Sequence, residues 1–265
     1  KNIVNVPGHG ELERDVAKSL PQEELLELLK TVPEATVLKL TEKLTYINEK
    51  VAASKTLLSK NKGVKGLEII NDEIFISLTE EVADDCVNTP IYSAEFNFEN
   101  IIFTEFFTYE ECALRDQELF NAHQSGGKVI AVYDNHILLS IGDYRSRHLT
   151  QNKESVNGKI IKININNDNY EIISMGHRNA QGLYFDKENN FILETEHGPM
   201  GGDEINLIEV NQIDKLKILN YGWPIASYGE HYGGKTDYNK KRYEKYPLYK
   251  SHSEYGFIEP LKSFV

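Results

Sequence analysis

The chain has 265 residues, 40% of them hydrophobic and 26% charged, which is the composition of a globular protein with ample apolar material for a core. Its formal net charge of -12 argues against a nucleic-acid partner, whose phosphates would be repelled, and is compatible with cation binding. The sequence contains no apolar run long enough for a transmembrane helix and no basic-then-apolar signal peptide. Because the first residue is Lys1 rather than Met, we expect a processed or trimmed chain, with room for an export signal upstream.

The first 35 residues predict an irregular segment followed by one short helix. Pro21 stands at a first helical position, and the acidic residues after it suit the positive end of a helix dipole. Four leucines then recur at helical spacing until Pro33 closes the pattern; they are Leu25, Leu26, Leu28 and Leu29. We assign residues 1–35 to an N-terminal segment whose amphipathic helix, at residues 20–30, serves for packing.

From about Thr36 the pattern is that of a β-structure. Residues 36–60 fit a helix or strands about equally, and we interpret them as strands. After Gly63, short apolar or alternating segments are joined in pairs by tight polar turns, which is the signal of β-hairpins. The predicted strands are Gly66–Ile70, Ile74–Leu78, Ile91–Phe98, Ile101–Phe107, Lys128–Tyr133, His136–Ile141, Lys159–Ile163, Tyr170–Ser174, Gly182–Asp186, Asn190–Thr195 and Glu204–Glu209. Groups of four strands recur about every 45 to 55 residues, near the blade length of a β-propeller, although a β-sandwich would show similar strand counts.

Cysteine usage leaves two alternatives open. Cys86 and Cys112 are the only cysteines in the chain. They form either one disulfide, in an oxidising compartment, or two buried free thiols. No spacing rule decides between these two states.

Two polar loops flank the predicted hairpin of Gly182–Asp186 and Asn190–Thr195. The loop before it carries His177, Arg178, Asn179 and Gln181, and the loop after it carries Glu196, His197, Gly198 and Pro199. A sheet that delivers polar loops to one edge is a common way to build a site. We therefore predict the functional site at this edge.

Six motifs occur in a fixed order along the chain. They are HQSGGKV (His123–Val129), SIGD (Ser140–Asp143), NGKIIKIN (Asn157–Asn164), GHRNAQGL (Gly176–Leu183), EHGPMGGDEINLI (Glu196–Ile208) and NYGWP (Asn220–Pro224). Together they resemble the glucose/sorbosone dehydrogenase family, the soluble sugar dehydrogenases that depend on pyrroloquinoline quinone (PQQ), over about residues 63–260. The resemblance implies an all-β fold, a six-bladed β-propeller with the quinone at one mouth of its central channel. At about 45 residues per blade, residues 36–265 make four to five blades, so we expect an incomplete propeller.

The resemblance implies catalytic roles for three residues. His123 matches the general base that removes the proton of a sugar hydroxyl as hydride leaves for the quinone, and a neutral imidazole suits that task. Asp143 matches the carboxylate that hydrogen-bonds this histidine and fixes its tautomer. Arg178 matches the cation that stabilises the negative charge developing on the quinone oxygens. Without the flanking motifs, a loop histidine and a turn aspartate would be the ordinary interpretation of the first two.

The resemblance also implies cofactor contacts in the loops around the hairpin. Arg178 and Asn179 match residues beside the reactive quinone oxygens. His197 matches a position that contacts the cofactor, where the best-known members of the family carry glutamine. We interpret His177 as structural, and Gln181 fits either a structural or a cofactor role.

Four further residues match calcium ligands of the family. Gly198 and Pro199 match residues whose main-chain carbonyls bind the calcium ion that also ligates the quinone, and calcium accepts such oxygen ligands readily. Glu204 and the main chain of Tyr221 resemble part of a second, structural calcium site. His231 stands near the place where that second site calls for another acidic ligand.

Several departures from the family pattern limit what the resemblance implies. Ala122 stands where the glucose-oxidising members carry an aspartate that touches the sugar, so the substrate preference does not transfer. Ala180 replaces the usual proline of the GHRN motif. The sequence ends at Val265, before the lysine and the two arginines that hold the quinone carboxylates in the family.

The leading hypothesis is an oxidoreductase that oxidises the anomeric or alcohol carbon of aldose sugars by hydride transfer to a calcium-bound PQQ. Its partners would be a small sugar and an external electron acceptor that the sequence does not identify, and its location would be periplasmic or secreted. The alternative is a non-catalytic, calcium-binding β-propeller that serves as a carbohydrate- or protein-binding module. The joint presence of His123, Asp143 and Arg178 favours the enzyme, because a binding module needs no base. Calcium-dependent lactone hydrolysis on a similar propeller is less favoured, since no set of inward-pointing metal-ligating carboxylates can be assembled.

Overall fold

The protein is represented by a computed structural model that describes residues 3–6, 10–13, 63–83, 86–96, 101–114, 123–133, 135–213 and 218–264. The predicted helix at residues 20–30, the predicted strands of residues 36–60 and the predicted domain boundary lie outside these ranges. Where the sequence predicted an irregular start, β1 (Ile3–Val6) and β2 (Gly10–Glu13) pair as an antiparallel hairpin. None of the helices in the described ranges is both long and apolar enough to cross a membrane.

Three larger sheets contain the remaining strands. The strands of the first sheet are β3 (Gly63–Ile70), β4 (Glu73–Ala83), β5 (Cys86–Asn88), β6 (Ile91–Glu95), β7 (Thr104–Phe107) and β8 (Ala113–Leu114). Those of the second are β9 (Gly126–Val132), β10 (His136–Ile141), β11 (Lys159–Asn164), β12 (Tyr170–Met175) and β16 (Leu219–Asn220). Those of the third are β13 (Ala180–Asp186), β14 (Phe191–Glu196), β15 (Asp203–Glu209) and β17 (Lys262–Phe264).

Short helices lie in the connections. They are α1 (Arg147–Thr150), α2 (Val210–Ile213) and α3 (Lys240–Lys245), with 3-10 turns at Asp237–Asn239 and Ser253–Tyr255.

Each of the three sheets is built on four antiparallel strands in up-and-down order, which is the form of a propeller blade. The orders are β3-β4-β6-β7, β9-β10-β11-β12 and β13-β14-β15-β17, with β16 added parallel to β12 and the β5–β8 pair extending β4. The first strands of the three blades lie side by side, β9 between β3 and β13. Their backbones come so close that a Cβ atom at Gly66 would lie 2.3 Å from the carbonyl oxygen of Gly127. The blades therefore surround a common axis, and the described strands do not close the ring.

The core consists of apolar layers between neighbouring blades. Strand β10, with the sequence HILLSI, is almost continuously apolar because both of its faces are covered by neighbouring blades. Successive side chains of a strand point to opposite faces. Ile137, Leu139 and Ile141 accordingly pack toward the first blade, while Leu138 packs toward the third. Because both faces of this middle blade are covered, burial contributes about 1.5–3 kcal/mol for each such side chain.

Of the two states predicted for the cysteines, a disulfide or two free thiols, the structure contains the disulfide. Cys86 and Cys112 form a disulfide with a Cα–Cα distance of 5.4 Å. The bond ties β5 to the residue that precedes β8. Disulfides of this kind form and persist in oxidising compartments.

Candidate active site

A cavity of about 290 Å³ opens near the starts of β3, β9 and β13, the first strands of the three blades. Cationic and amide side chains dominate its wall. The residues that line it are Lys65, His123, Gln124, Ser125, Arg145, Arg178, Asn179, Gln181 and Tyr232. We call it the basic cavity. It brings together four of the residues named as candidates from the sequence, His123, Arg178, Asn179 and Gln181.

His123 is held at the wall of the basic cavity by a neighbouring arginine. Its Nδ1 atom lies 3.0 Å from an Nη2 atom of Arg145. Since a guanidinium only donates hydrogen bonds, Nδ1 is the acceptor, and the neutral ring carries its proton on Nε2. Burial, and then the charges of Arg145 and Lys65, lower the pKa of His123 below its usual value. The ring is therefore neutral at neutral pH.

Asp143 is completely buried behind the cavity. Its Oδ2 accepts a hydrogen bond from Nε1 of Trp223 at 2.8 Å, and its Oδ1 accepts one from the main-chain N–H of Arg145 at 2.8 Å. With the amide of Gln124 oriented to satisfy both its neighbours, Nε2 of Gln124 donates to Oδ1 at 2.6 Å. Burial raises the pKa of Asp143, while nearby arginines oppose that shift. Within the described ranges, no hydrogen bond joins Asp143 to His123, so the predicted direct contact is replaced by one through Arg145.

Arg178 forms a fixed cation in the wall of the basic cavity. Its Nη1 donates to the main-chain carbonyl of His197 at 2.6 Å, and its Nη2 donates to the amide oxygen of Gln124 at 3.0 Å. The guanidinium also lies 5.5 Å from the centre of the Trp223 ring, within the range of a cation–π contact. Burial lowers the pKa of Arg178 and the charge of Asp143 opposes that effect. An arginine nevertheless stays charged in such surroundings.

Asn179 links the second blade to the third. Its Oδ1 accepts a hydrogen bond from the main-chain N–H of Gly126 at 3.1 Å, where β9 begins. Ser140 makes a parallel link, since its Oγ donates to the carbonyl of Ala180 at 2.7 Å. These bonds fix the relative position of the inner strands. Asn179 therefore presents its amide to the cavity from a rigid backbone.

His197 does not reach the basic cavity with its ring. The side chain is 60% exposed, and its Nδ1 lies 3.5 Å from Oδ2 of Asp203. Only the main-chain carbonyl of His197 faces inward, where it accepts the hydrogen bond from Arg178. The predicted cofactor contact by the His197 side chain is therefore not supported by its position.

The four predicted calcium ligands line one small pocket. Gly198, Pro199, Glu204 and Tyr221 surround a space of about 10 Å³, roughly one atom in size. We call this space the small pocket. Its wall also contains Arg178, Glu196, Gly202, Trp223, Ala226 and Ser227. The sequence analysis distributed the four residues over two calcium sites, and the structure brings them to a single place.

Residues of the small pocket carry main-chain carbonyl and carboxylate oxygens. Gly198 and Pro199 belong to a tight turn in which the Pro199 carbonyl accepts the N–H of Gly202 at 2.9 Å and the Gly198 N–H donates to Asp203 at 2.9 Å. Glu204 is buried beside them, and burial together with the neighbouring Glu196 raises its pKa well above the usual value. Carbonyl and carboxylate oxygens in an atom-sized space fit the ligand preference of calcium.

His231, which stands near the position of an expected acidic calcium ligand, is engaged elsewhere. Its ring bonds to the main-chain carbonyl of Tyr246 at 2.8 Å and packs edge-on against Tyr243. Burial lowers the pKa of His231 to about 4. The ring is therefore a neutral, structural group.

The sequence analysis missed the other cationic residues of the cavity. Lys65 enters from β3, and Arg145 lies just beyond the SIGD motif. Tyr232 comes from the distant segment after Trp223. The available signal was a lysine in an alternating strand and an arginine two residues after Asp143. Neither signal indicates a shared cavity, because Lys65 and Arg145 are 80 residues apart in the sequence and meet only through the arrangement of the blades.

The fold and the cavity define a class: a β-propeller with a basic cavity where the inner strands of its blades begin. Residues 70–253 match the family model described as Glucose / Sorbosone dehydrogenase. The match spans well over half of the chain, and the protein therefore belongs to this family. The family resemblance predicted from the six motifs is confirmed.

Three known proteins illustrate the relationship. The chain is 34% identical over 142 residues to quinoprotein glucose dehydrogenase B of Acinetobacter calcoaceticus, a match that covers 42% of this chain and 28% of that protein. It is similar in structure to the soluble aldose sugar dehydrogenase of Escherichia coli in its apo form, with a TM-score of 0.60, 23% identity and coverage of 77% of this chain and 58% of that one. The PQQ-bound aldose sugar dehydrogenase of Streptomyces coelicolor gives a TM-score of 0.51, 18% identity and coverage of 77% and 54%.

These structural similarities confirm the predicted all-β propeller fold of the quinoprotein dehydrogenase type. The chain spans little more than half the length of the two solved proteins. The predicted total of four to five blades includes residues 36–60, outside the described ranges, and stays a prediction.

Proposed function

We propose that this chain belongs to a sugar dehydrogenase that oxidises the anomeric or alcohol carbon of aldoses and depends on PQQ and calcium. One observation carries the proposal: the basic cavity combines the neutral imidazole of His123 with the fixed cation of Arg178 and the amide of Asn179. The names of the relatives, a quinoprotein glucose dehydrogenase and a PQQ-bound aldose sugar dehydrogenase, agree with it.

The residues of the basic cavity fit a planar, polycarboxylate quinone. Lys65, Arg145 and Arg178 place three cationic side chains around a space of about 290 Å³. Arginine forks suit carboxylates because they pair with both oxygens at once. Lys65 and Arg145 thereby supply positive charge that the sequence analysis expected only beyond Val265. When bound, the quinone supplies the acceptor for hydride, and calcium polarises its carbonyl.

Calcium would be held by the residues of the small pocket. The carbonyls of Gly198 and Pro199, the carboxylate of Glu204 and the main chain of Tyr221 are the proposed ligands. All are oxygen donors of the kind that calcium prefers. Because Arg178 lines both spaces, the ion would lie next to the wall of the basic cavity.

In the proposed reaction, His123 takes the proton of the sugar hydroxyl. A base needs an unprotonated ring nitrogen, and here that atom is Nδ1, which Arg145 covers. The sugar hydroxyl must therefore displace the guanidinium of Arg145 from Nδ1, or the ring must turn. Asp143 has a positioning role, since it holds the main chain of Arg145 and the indole of Trp223. Arg178 stabilises negative charge that develops in the cavity.

We also propose a periplasmic or secreted location. The disulfide between Cys86 and Cys112 supports it, because such bonds persist in oxidising compartments. The electron acceptor would be an external partner.

The test is a titration of the calcium-loaded protein with PQQ, followed by absorbance measurements as aldoses are added. We expect stoichiometric binding, reduction that depends on the sugar, and release of the quinone after thorough chelation of calcium. Reduction would establish the dehydrogenase and rank its substrates. Binding of calcium without quinone would favour the alternative, a non-catalytic binding module. Retention of quinone after chelation would count against the proposed calcium ligands.

A further inference from the structure

A second group of polar residues lies buried on the third blade and beside His177, which precedes Arg178 and Asn179 of the basic cavity. Strands β14 and β15 pair Glu194 with Asn206 and Glu196 with Glu204. Since alternate residues of a strand share a face, these four side chains lie on the same face. His177 packs beside them, and all five side chains are buried. We call His177, Glu194, Glu196, Glu204 and Asn206 the acidic cluster.

The imidazole of His177 points at two of the carboxylates without bonding to either. Its Nδ1 lies 3.5 Å from Oε1 of Glu196 and 3.8 Å from Oε2 of Glu194. These distances exceed the roughly 2.7–3.2 Å of a good N–H···O hydrogen bond. Nδ1 accordingly has no hydrogen-bond partner among the described residues, although it is completely buried.

The same distances match the spacing of ligands around a small metal ion. Tetrahedral zinc sites with bonds of about 2.1 Å separate neighbouring ligand atoms by roughly 3.4 Å. Ligand atoms of His177, Glu194 and Glu196 all lie within 4.8 Å of one another. Nε2 of His177 is 2.8 Å from Oγ of Ser174. With Nε2 donating to Ser174, Nδ1 is left with a lone pair directed at the carboxylates, which is the arrangement usual for a metal-binding histidine.

The hydrogen bonds to the carboxylates of Glu194 and Glu196 come from neutral donors, and His252 is a further histidine beside the cluster, with Nε2 3.8 Å from Oε1 of Glu204. Nδ2 of Asn206 donates to Glu194 at 2.8 Å and to Glu196 at 3.2 Å. The other oxygen of Glu196 accepts the main-chain N–H groups of Arg178 at 2.5 Å and Asn179 at 3.3 Å. The second oxygen of Glu194 has no hydrogen-bond partner within the described part of the chain. Buried carboxylates whose hydrogen bonds come from neutral donors are costly unless a cation or a proton accompanies them.

We propose that His177, Glu194 and Glu196 bind a divalent transition-metal ion, with zinc the best fit to one imidazole and two carboxylates. An imidazole ligand favours zinc and its neighbours, whereas calcium takes oxygen ligands only. The proposed ligands therefore differ from those proposed for calcium, although the two sites adjoin, since Glu196 and Glu204 also line the small pocket. The zinc site does not depend on the proposed dehydrogenase activity. Asn206 orients the two carboxylates through its amide.

The proposed ion has a structural consequence for the basic cavity. It joins His177 to β14, and Arg178 and Asn179 follow His177 directly in the chain. Glu196 already binds the main chain of both residues through its other oxygen. Bound metal would thus hold in place the segment that presents Arg178 and Asn179 to the cavity.

The experiment uses the full chain, stripped of metals and returned to saturating calcium, so that oxygen-ligand sites are filled. Zinc is then titrated by calorimetry, and the melting temperature is followed in parallel. We expect one zinc per chain and a rise in melting temperature. Glu194→Gln should weaken zinc binding by at least about tenfold and remove the zinc-dependent rise. The matched control is Glu209→Gln, which changes an exposed carboxylate on β15 and should leave zinc binding unaltered.

Two results would overturn the proposal. One is a wild-type chain that takes up no zinc in the presence of calcium, in which case a proton on the cluster balances its charge. The other is a Glu194→Gln chain that binds zinc as tightly as the wild type. Should Glu194→Gln fail to fold, cobalt in the wild-type chain decides: absence of the visible absorption bands of four-coordinate cobalt with nitrogen and oxygen ligands refutes the site. PQQ binding is measured separately, so failure of either proposal leaves the other intact.

Discussion

The basic cavity and the acidic cluster both include residues of one short segment, Gly176–Asn179, but they differ in the sign of the charge that they collect. The cavity collects cations around an open space. The cluster collects carboxylates where water is excluded. Solvated cations can remain charged until a ligand arrives, whereas buried carboxylates need a proton or a cation for the chain to fold. Charge in the cavity therefore concerns binding from solution, and charge in the cluster concerns stability.

Arg178 connects the two regions. Its guanidinium belongs to the cavity wall, and its main-chain N–H donates to Glu196 of the cluster at 2.5 Å. A change in the cluster is thus transmitted to the cavity through one backbone segment. Substitutions confined to one region therefore distinguish the effects of the cavity from those of the cluster.

The largest effect is expected in the cavity, from His123→Gln. We expect turnover of aldoses to fall by about 10²–10⁴-fold, the usual contribution of a general base, while quinone affinity stays nearly the same. The measurement is the steady-state rate with saturating quinone, beside a quinone titration. His136→Gln makes the same substitution at the first residue of β10, which does not line the basic cavity, and should leave the rate unaltered. An active His123→Gln enzyme would remove His123 from the mechanism.

The second effect is expected in the cluster, from Glu194→Gln in chain stripped of divalent cations. Burial raises the pKa of Glu194 well above its usual value. The cost of the buried carboxyl is therefore absent below its unfolded-state pKa and grows as the pH rises toward its folded-state pKa. A glutamine at position 194 cannot ionise and has no such cost, and its side-chain oxygen can still accept the hydrogen bond from Asn206. We expect the variant to gain about 1–2 kcal/mol in free energy of unfolding at pH 8 and little at pH 4, by urea titration.

The sign of this effect distinguishes a proton from a metal in the cluster. With zinc present, the wild type gains the free energy of binding and the variant does not, so the order of stability reverses. A metal-free variant that is less stable than the wild type at pH 8 would contradict the account of Glu194 as a costly buried carboxyl.

Local pattern predicted most of the strands, because a hairpin is specified by alternation and by the turn between its strands. The pairing of β10 with β11, and of β13 with β14, follows that rule. The two-residue strands β8 and β16 were not predicted, since they exist only through pairing with β5 and β12. Pairing with a neighbouring strand also decides where a strand begins and ends. The strand predicted at Ile101–Phe107 begins at Thr104 in the structure.

Motifs predicted the residues of the site better than their contacts. The four residues predicted to bind calcium at two sites, Gly198, Pro199, Glu204 and Tyr221, line one pocket. The partner of His123 was predicted to be Asp143, yet Arg145 intervenes, because the turn after β10 directs its guanidinium toward the ring. No local pattern specifies that direction.

The acidic cluster did leave a signal in the sequence. In the strand FILETE, Glu194 and Glu196 occupy the same alternation as the buried Ile192. Carboxylates in register with a core residue indicate buried charge, which calls for a partner. That partner, His177, comes from another segment, so the pattern alone does not reveal it.

The smallest effect is expected from Arg145→Met, and it concerns the pH at which His123 becomes neutral. Burial is the main cause of the lowered pKa of His123, followed by the charges of Arg145 and Lys65. Removing one charge should raise that pKa, while burial still holds it below the usual value of a histidine. Because the base acts when neutral, the acidic limb of kcat/KM should move to higher pH.

Two measurements check this shift: the pH profile of kcat/KM and a direct NMR titration of the His123 ring, which needs no activity. Arg147→Met is the matched control, because Arg147 contacts the Trp223 ring and is not among the charges that lower the pKa of His123. The acidic limb of the kcat/KM profile of Arg147→Met should stay at the wild-type pH. If the limb of Arg145→Met moved to lower pH, Arg145 would be stabilising the protonated ring, and the hydrogen bond to Nδ1 would have to be rejected. If instead both readouts move up together, the charge of Arg145 helps to keep the ring of His123 neutral, as its contact with Nδ1 implies.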